Sequence, residues 1–231
     1  MKRKILFPLI LINLKTYKQG TGQKALSLGK ICEKISRNTQ VTIALAVQAT
    51  DIRLLTTNLH IPIFAQHIDP IKPGSNTGQV LLEAIMEAGA CGTLINHSER
   101  KIQLAEIAKI IERTKEHNIL SCVCASTPKI AGAVAALEPD MCATEPPELI
   151  GSGIPVSKAQ PEILTDTVEI IQKINSNVVP LCGAGITEAS DVQRALELGT
   201  RGILIASGIV KAEKPEMIIK EMVKVAEKFI S

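Results

Sequence analysis

Residues 92–124 read GTLINHSERKIQLAEIAKIIERTKEHNILSCVC, and three patterns follow one another along them. Gly92–Asn96 is brief and apolar on both faces, the pattern of a strand covered on two sides. Leu104–His117 places Ile107, Ile110 and Ile111 at helical spacing with Glu and Lys on the opposite face, so one stripe of a helix must be buried. Leu120–Cys124 is again short and apolar on both faces. Strand, amphipathic helix and strand in succession form the unit from which parallel sheets are built.

The alternation extends outward in both directions. Apolar runs recur at Phe7–Ile12, Val41–Ala46, Ile61–Ala65, Asp140–Thr144, Val178–Cys182 and Gly202–Ile205. Helical patterns recur at Ala25–Ser36, Asp51–Asn58, Leu81–Ala88, Thr127–Leu137, Pro161–Ile174, Thr187–Leu198 and Pro215–Phe229. Thr127-Pro128 offers an N-cap followed by proline at the first helical position. Thr187 is placed to cap a helix that ends before Gly199. Eight units leave about 29 residues each, the economical end of the range for a (β/α)8 barrel. No linker, composition break, low-complexity stretch or strong repeat divides the chain. The expectation is an α/β fold, a single (β/α)8 barrel domain over residues 1–231. An open doubly wound sheet is the alternative, and eight consecutive units favour closure.

Hydrophobic residues make up 45% of the chain, with three Phe, one Tyr and no Trp, so the core must be packed with Ile, Leu, Val and Ala. A net charge of +3 is too small to argue for nucleic acid or a membrane surface as partner. It is compatible with a small anionic substrate. Met1–Leu14 joins basic residues to an apolar run, as an export signal does. The run Ile5–Ile12 is short, however, carries Pro8 and leads into Asn13-Leu14-Lys15 without a small-x-small cleavage site, so a buried first strand is expected. No stretch is long enough to cross a bilayer. Six cysteines (Cys32, Cys91, Cys122, Cys124, Cys142 and Cys182) lack a CxxC pair. Cys122-x-Cys124 finds no compatible second cluster, so reduced buried thiols are expected and no metal site.

In a barrel, chemistry sits in the loops that follow the strands. The first strand ends in Asn13-Leu14-Lys15, and side chains two apart share a face, so Asn13 and Lys15 both point to the mouth. An amide beside an ammonium suits a bound oxyanion or phosphate; a solvated lysine is the plainer reading of Lys15 alone. The fourth strand ends in Asn96-His97-Ser98-Glu99-Arg100. A helix-like turn there puts exposed amides near His97 and favours a neutral imidazole, although a lone histidine at a loop start is often structural. Met141, Ala143 and Glu145 share one face of the sixth strand, and Pro146 restricts Glu145 to extended backbone. The following segment to Gly153, with two prolines, an apolar tip and Gly-Ser-Gly, suits a lid that sheds water from a carboxylate. A rigid surface turn with a solvated glutamate is the alternative. Cys182-Gly183-Ala184-Gly185 and Ala206-Ser207-Gly208 end the last two strands, where small residues let backbone N–H groups approach a phosphate.

Taken together, Asn13-x-Lys15, the NHSER stretch at 96–100, EPPELIG at 145–151 and the two small-residue loops resemble triosephosphate isomerase, in that family's order, from Asn13 to Lys211. The resemblance implies a TIM barrel that interconverts dihydroxyacetone phosphate and D-glyceraldehyde 3-phosphate in glycolysis and gluconeogenesis, in the cytoplasm, with no cofactor. It implies Glu145 as base, neutral His97 as electrophile and Lys15 as the cation beside the enediolate. Asn13, Leu14 and Lys15 would hold the substrate, and Ile150, Gly151, Gly185, Ala206 and Ser207 its phosphate. Thr144, the Pro147-Glu148-Leu149 lid and Cys182-Gly183-Ala184-Gly185 depart from the common bacterial and eukaryotic pattern and are similar to the archaeal branch. A homo-oligomer is implied, a tetramer ahead of a dimer, with Thr77 of the Lys72–Gly78 loop as the residue that reaches a neighbour's site. An ordinary exposed loop fits that segment nearly as well. The competing functions are another phosphate-binding barrel of tryptophan or thiamine biosynthesis, and a non-catalytic barrel that binds sugar phosphates or a protein partner.

Overall fold

Strands that are apolar on both faces need cover on both, and a sheet closed on itself supplies it. The computed structural model describes residues 5–146 and 156–230. Its eight parallel strands are β1 (Leu9–Asn13), β2 (Thr42–Val47), β3 (Ile63–Ala65), β4 (Gly92–Ile95), β5 (Leu120–Ala125), β6 (Met141–Thr144), β7 (Val179–Cys182) and β8 (Gly202–Ile205). They pair in sequence order and close into a barrel. Leu9 of β1 sits opposite Thr42 of β2 on one side and Gly202 of β8 on the other.

The described helices are α1 (Gln23–Ser36), α2 (Ile52–Thr56), α3 (Leu82–Glu87), α4 (Leu104–Glu116), α5 (Pro128–Ala135), α6 (Val156–Ala159), α7 (Pro161–Ile174), α8 (Ala189–Glu197), α9 (Ser207–Val210) and α10 (Pro215–Ala226). Two packed shells result. Leu9, Leu11, Ala44, Ala46, Phe64, Leu94, Cys122, Cys124, Met141, Ala143, Leu181 and Leu204 fill the barrel. Their alternating neighbours Ile10, Ile12, Ile43, Leu45, Ile95, Val123, Cys142 and Ile203 pack outward against the helices. Gly92 leaves the space that Phe64 fills, since a Cβ there would stand 2.3 Å from the ring. Leu9–Ile12 of the first apolar run lies in β1 and is buried.

The eight strands and eight main helices fall where the sequence patterns place them, with ends shifted by a few residues. The fourth strand stops at Ile95, because Asn96 turns left-handed with φ of 60°. Thr127 caps α5 as expected, its Oγ1 accepting from Ile130 N at 3.3 Å. Thr187 does not cap α8. Glu188 is the N-cap, in a capping box with Asp191, and the Thr187 N–H and hydroxyl both bond Asp191 Oδ2 at 2.9 and 3.1 Å. An acid three residues beyond the cap outcompetes a hydroxyl one residue before it. The last helix ends at Ala226 and tightens into a 3₁₀ turn over Glu227–Phe229. Two four-residue helices, α6 and α9, were not anticipated, being too short to show a period.

Candidate active site

The strand ends deliver polar groups to one pocket at the barrel mouth. Asn13, Lys15, His97, Glu145, Gly185, Ala206 and Ser207 line it, so the structure brings these candidates together. Leu14 does not join them. Its side chain is fully buried among the outward-facing core residues, because alternation along β1 turns it away from the mouth. Ile150, Gly151 and the expected lid over 147–153 lie outside the described residues.

Lys15 follows β1 in a left-handed turn, φ 47°. Its N–H donates to Asn13 Oδ1 at 3.0 Å. The Gln66 side-chain amide reaches the same oxygen at 3.2 Å, Lys15 O at 2.9 Å and Ala46 O at 3.2 Å. That strained turn is thus tied down on three sides. The Lys15 ammonium pairs with Glu99 Oε1 at 2.8 Å, lysine largely covered and glutamate exposed.

His97 is buried. Its Nδ1 accepts a hydrogen bond from the Glu99 backbone N–H at 3.2 Å. A nitrogen that accepts cannot carry a proton, so the ring hydrogen belongs on Nε2. The expected helix-like turn is there, closed by Arg100 N donating to His97 O at 2.7 Å, and it brings one amide, that of Glu99, onto the ring. Nε2 points at Glu145 Oε1, 3.4 Å away.

Glu145 sits one residue past β6, 3% exposed, with its N–H donating to Ala125 O at 2.8 Å. Among the described residues its Oε2 has no hydrogen-bond partner. A buried carboxylate oxygen is costly to leave unbonded. Gly183 makes the room for it, since a Cβ there would meet Glu145 Cγ at 2.5 Å. Behind it, burial first and then the Glu145 charge push the Cys124 thiol well above its ordinary value, so it stays protonated and inert.

The opposite rim is made of backbone. Gly185 takes φ of 72°, and α9 begins at Ser207. The two loops touch: a Cβ at Gly208 would lie 2.9 Å from Ile186 O. Small residues here leave N–H groups accessible to an anion. Gly183 of the expected small-residue loop lines the cavity too, whereas Tyr17 and Thr187 also line it and were missed. Tyr17 lies beyond the strand end by more than alternation can project. Gln66 follows β3 directly and was within reach of the strand-end rule.

The six cysteines are free, five of them buried. Burial pushes Cys32, Cys142 and Cys182 up to about 12. Among the described residues no three His, Cys, Asp or Glu side chains gather as metal ligands, and no helix is long and apolar enough to cross a membrane.

A family model described as triosephosphate isomerase matches residues 8–222. Proteins named triosephosphate isomerase from Methanothermus fervidus and Methanocaldococcus jannaschii are 49% and 50% identical to this chain over 216 residues, 94% of it and 97% and 99% of their own lengths. A protein of the same name from Methanosarcina acetivorans is 49% identical over 217 residues, 94% of this chain and 98% of its own.

Proposed function

The chain belongs to the triosephosphate isomerase family, and from that premise we propose that Glu145, His97 and Lys15 interconvert dihydroxyacetone phosphate and D-glyceraldehyde 3-phosphate at the barrel mouth. The observation that carries the assignment is the 3.4 Å approach of Glu145 Oε1 to His97 Nε2, with Nε2 made the donor by the amide on Nδ1. Glu145 takes a proton from the carbon beside the substrate carbonyl, and the electron pair left behind forms an enediolate. His97 donates from Nε2 to the carbonyl oxygen and recovers a proton from the neighbouring hydroxyl. Glu145 then returns its proton to the adjacent carbon, so the sum of the steps is a rearrangement with no outside reductant or oxidant.

The Lys15 ammonium offsets the charge that develops on the enediolate, and Asn13 holds Lys15 to the mouth. Backbone N–H groups near Gly185, Ala206 and Ser207 hold the phosphate. The other phosphate-binding barrels account for these loops but not for the buried carboxylate facing a histidine N–H. The same premise supports an archaeal-type enzyme of glycolysis and gluconeogenesis in the cytoplasm, one catalytic barrel per chain, assembled as a homotetramer through the exposed Lys72–Gly78 loop.

A coupled assay with dihydroxyacetone phosphate tests the assignment. Glu145→Gln should lower kcat by roughly 10²–10⁴, while a phosphoglycolate-like anion still raises the melting temperature. Parental turnover in that variant removes Glu145 from the mechanism.

A further inference from the structure

We infer that Asn96 is the positioning residue that turns His97 into the mouth and holds its ring there; the inference rests on the isomerase reading and extends it to a residue that touches no reacting atom. Along β4, Leu94 faces the barrel interior and Ile95 faces the helices. Continued alternation would send Asn96 inward and His97 out among the helices. His97 lines the cavity instead, because the backbone at Asn96 is left-handed, φ 60°. Asparagine is one of the few residues with a Cβ that enters this region readily.

The Asn96 side chain then locks the turn it makes. Its Nδ2 donates to Cys124 O at 3.0 Å, and its Oδ1 accepts from Ile102 N at 3.0 Å. One amide therefore ties the segment to the neighbouring strand and also to its own far end. Residues 97–101 are bracketed between these bonds. Inside the bracket lie the bond that closes the turn, Arg100 N to His97 O, and the contact that orients the ring, Glu99 N to His97 Nδ1.

The anchor point matters as much as the anchor. Asn96 is fastened to the carbonyl of Cys124, and Glu145 N donates to the carbonyl of the next residue, Ala125. Acid and base are thus registered on consecutive carbonyls of one strand, β5, and their 3.4 Å separation inherits the rigidity of that strand. Displacement of either by about 1 Å is enough to cost orders of magnitude in rate.

Two variants separate the parts of this device. Asn96→Gly keeps access to the left-handed backbone and removes both side-chain bonds. Asn96→Asp keeps the acceptor for Ile102 and loses the donor to Cys124. Turnover of dihydroxyacetone phosphate is measured beside the ¹⁵N signals of the His97 ring, which a merely structural role would leave alone. Asn96→Gly should lower kcat roughly ten- to a hundredfold with KM within about twofold, and shift or broaden the His97 signals; Asn96→Asp should fall between it and the parent. Parental kcat and parental His97 signals in Asn96→Gly overturn the inference, whether or not its melting temperature drops. Should that variant fail to fold, the same two readings on Asn96→Asp decide. A parent that does not turn over sinks the isomerase reading instead, and the His97 signals still judge Asn96 by themselves.

Discussion

His97 and Glu145 illustrate how much chemistry a single side chain owes to its immediate neighbours. A histidine with both nitrogens free could act as cation, acid or base. The Glu99 amide on Nδ1 leaves one role, a neutral ring offering Nε2–H toward the carboxylate 3.4 Å away. His97→Gln keeps a donor of similar reach but cannot exchange protons between two oxygens. It should lower kcat by roughly 10²–10⁴ and change KM far less, read by steady-state kinetics with dihydroxyacetone phosphate. A variant that lost binding and kept kcat would make His97 a substrate clamp. The residue identities were legible in the sequence, because Asn13, Lys15 and Glu145 follow inward-facing strand positions by strict alternation. His97 obeys no such rule, and its place in the mouth depends on the left-handed Asn96. Leu14, one residue from two lining residues, shows the same alternation excluding a neighbour.

Among the elements, the segment between β3 and α3 is held by its ends. Asp69 N donates to Val80 O at 2.9 Å and Val80 N to Asp69 Oδ2 at 2.6 Å, which closes the loop at its base. Asp69 Oδ1 meets His67 Nε2 at 3.0 Å and the Arg100 guanidinium at 3.2 Å. On the other side the buried Arg113 of α4 bonds Ile71 O and the Glu83 carboxylate. Burial pushes the Asp69 carboxyl up, but the Val80 N–H, His67 and Arg100 outweigh it and hold the group below its ordinary value of 3.8. A depressed folded value means the stabilisation is complete above the ordinary value and fades as pH falls through the folded one. Asp69→Ala should therefore cost about 1.5–3 kcal/mol near pH 7, seen as a lower melting temperature, and the gap to the parent should narrow below pH 3.8. Equal melting of the two proteins at pH 7 would refute the clasp. The sequence marked Lys72–Gly78 as a loop, one that meets a neighbouring subunit or an ordinary exposed one, yet not its clasp, because His67, Asp69, Val80 and Arg100 lie in three separate stretches of the chain.

At the scale of the whole molecule, the clasped loop is exposed, and in the proposed assembly a loop already held by its ends would meet a second copy without a large ordering cost. The proposed homotetramer should give a light-scattering mass four times the 24.8 kDa of one chain; a monomeric mass at assay concentrations would end that proposal. The sequence by itself determined the order and kind of the eight strands and main helices, since each carries its own period, and it determined which polar residues stand one step past an inward-facing position. Closure into a barrel, the seating of Phe64 against Gly92, the cap of α8, the left-handed turn before His97 and the registry of Asn96 and Glu145 on β5 were decided only in the tertiary structure. The physical reason is the range of the forces involved: periodicity is written in residues three or four apart, whereas packing volume and shared hydrogen-bond acceptors depend on groups that meet only when distant strands come together.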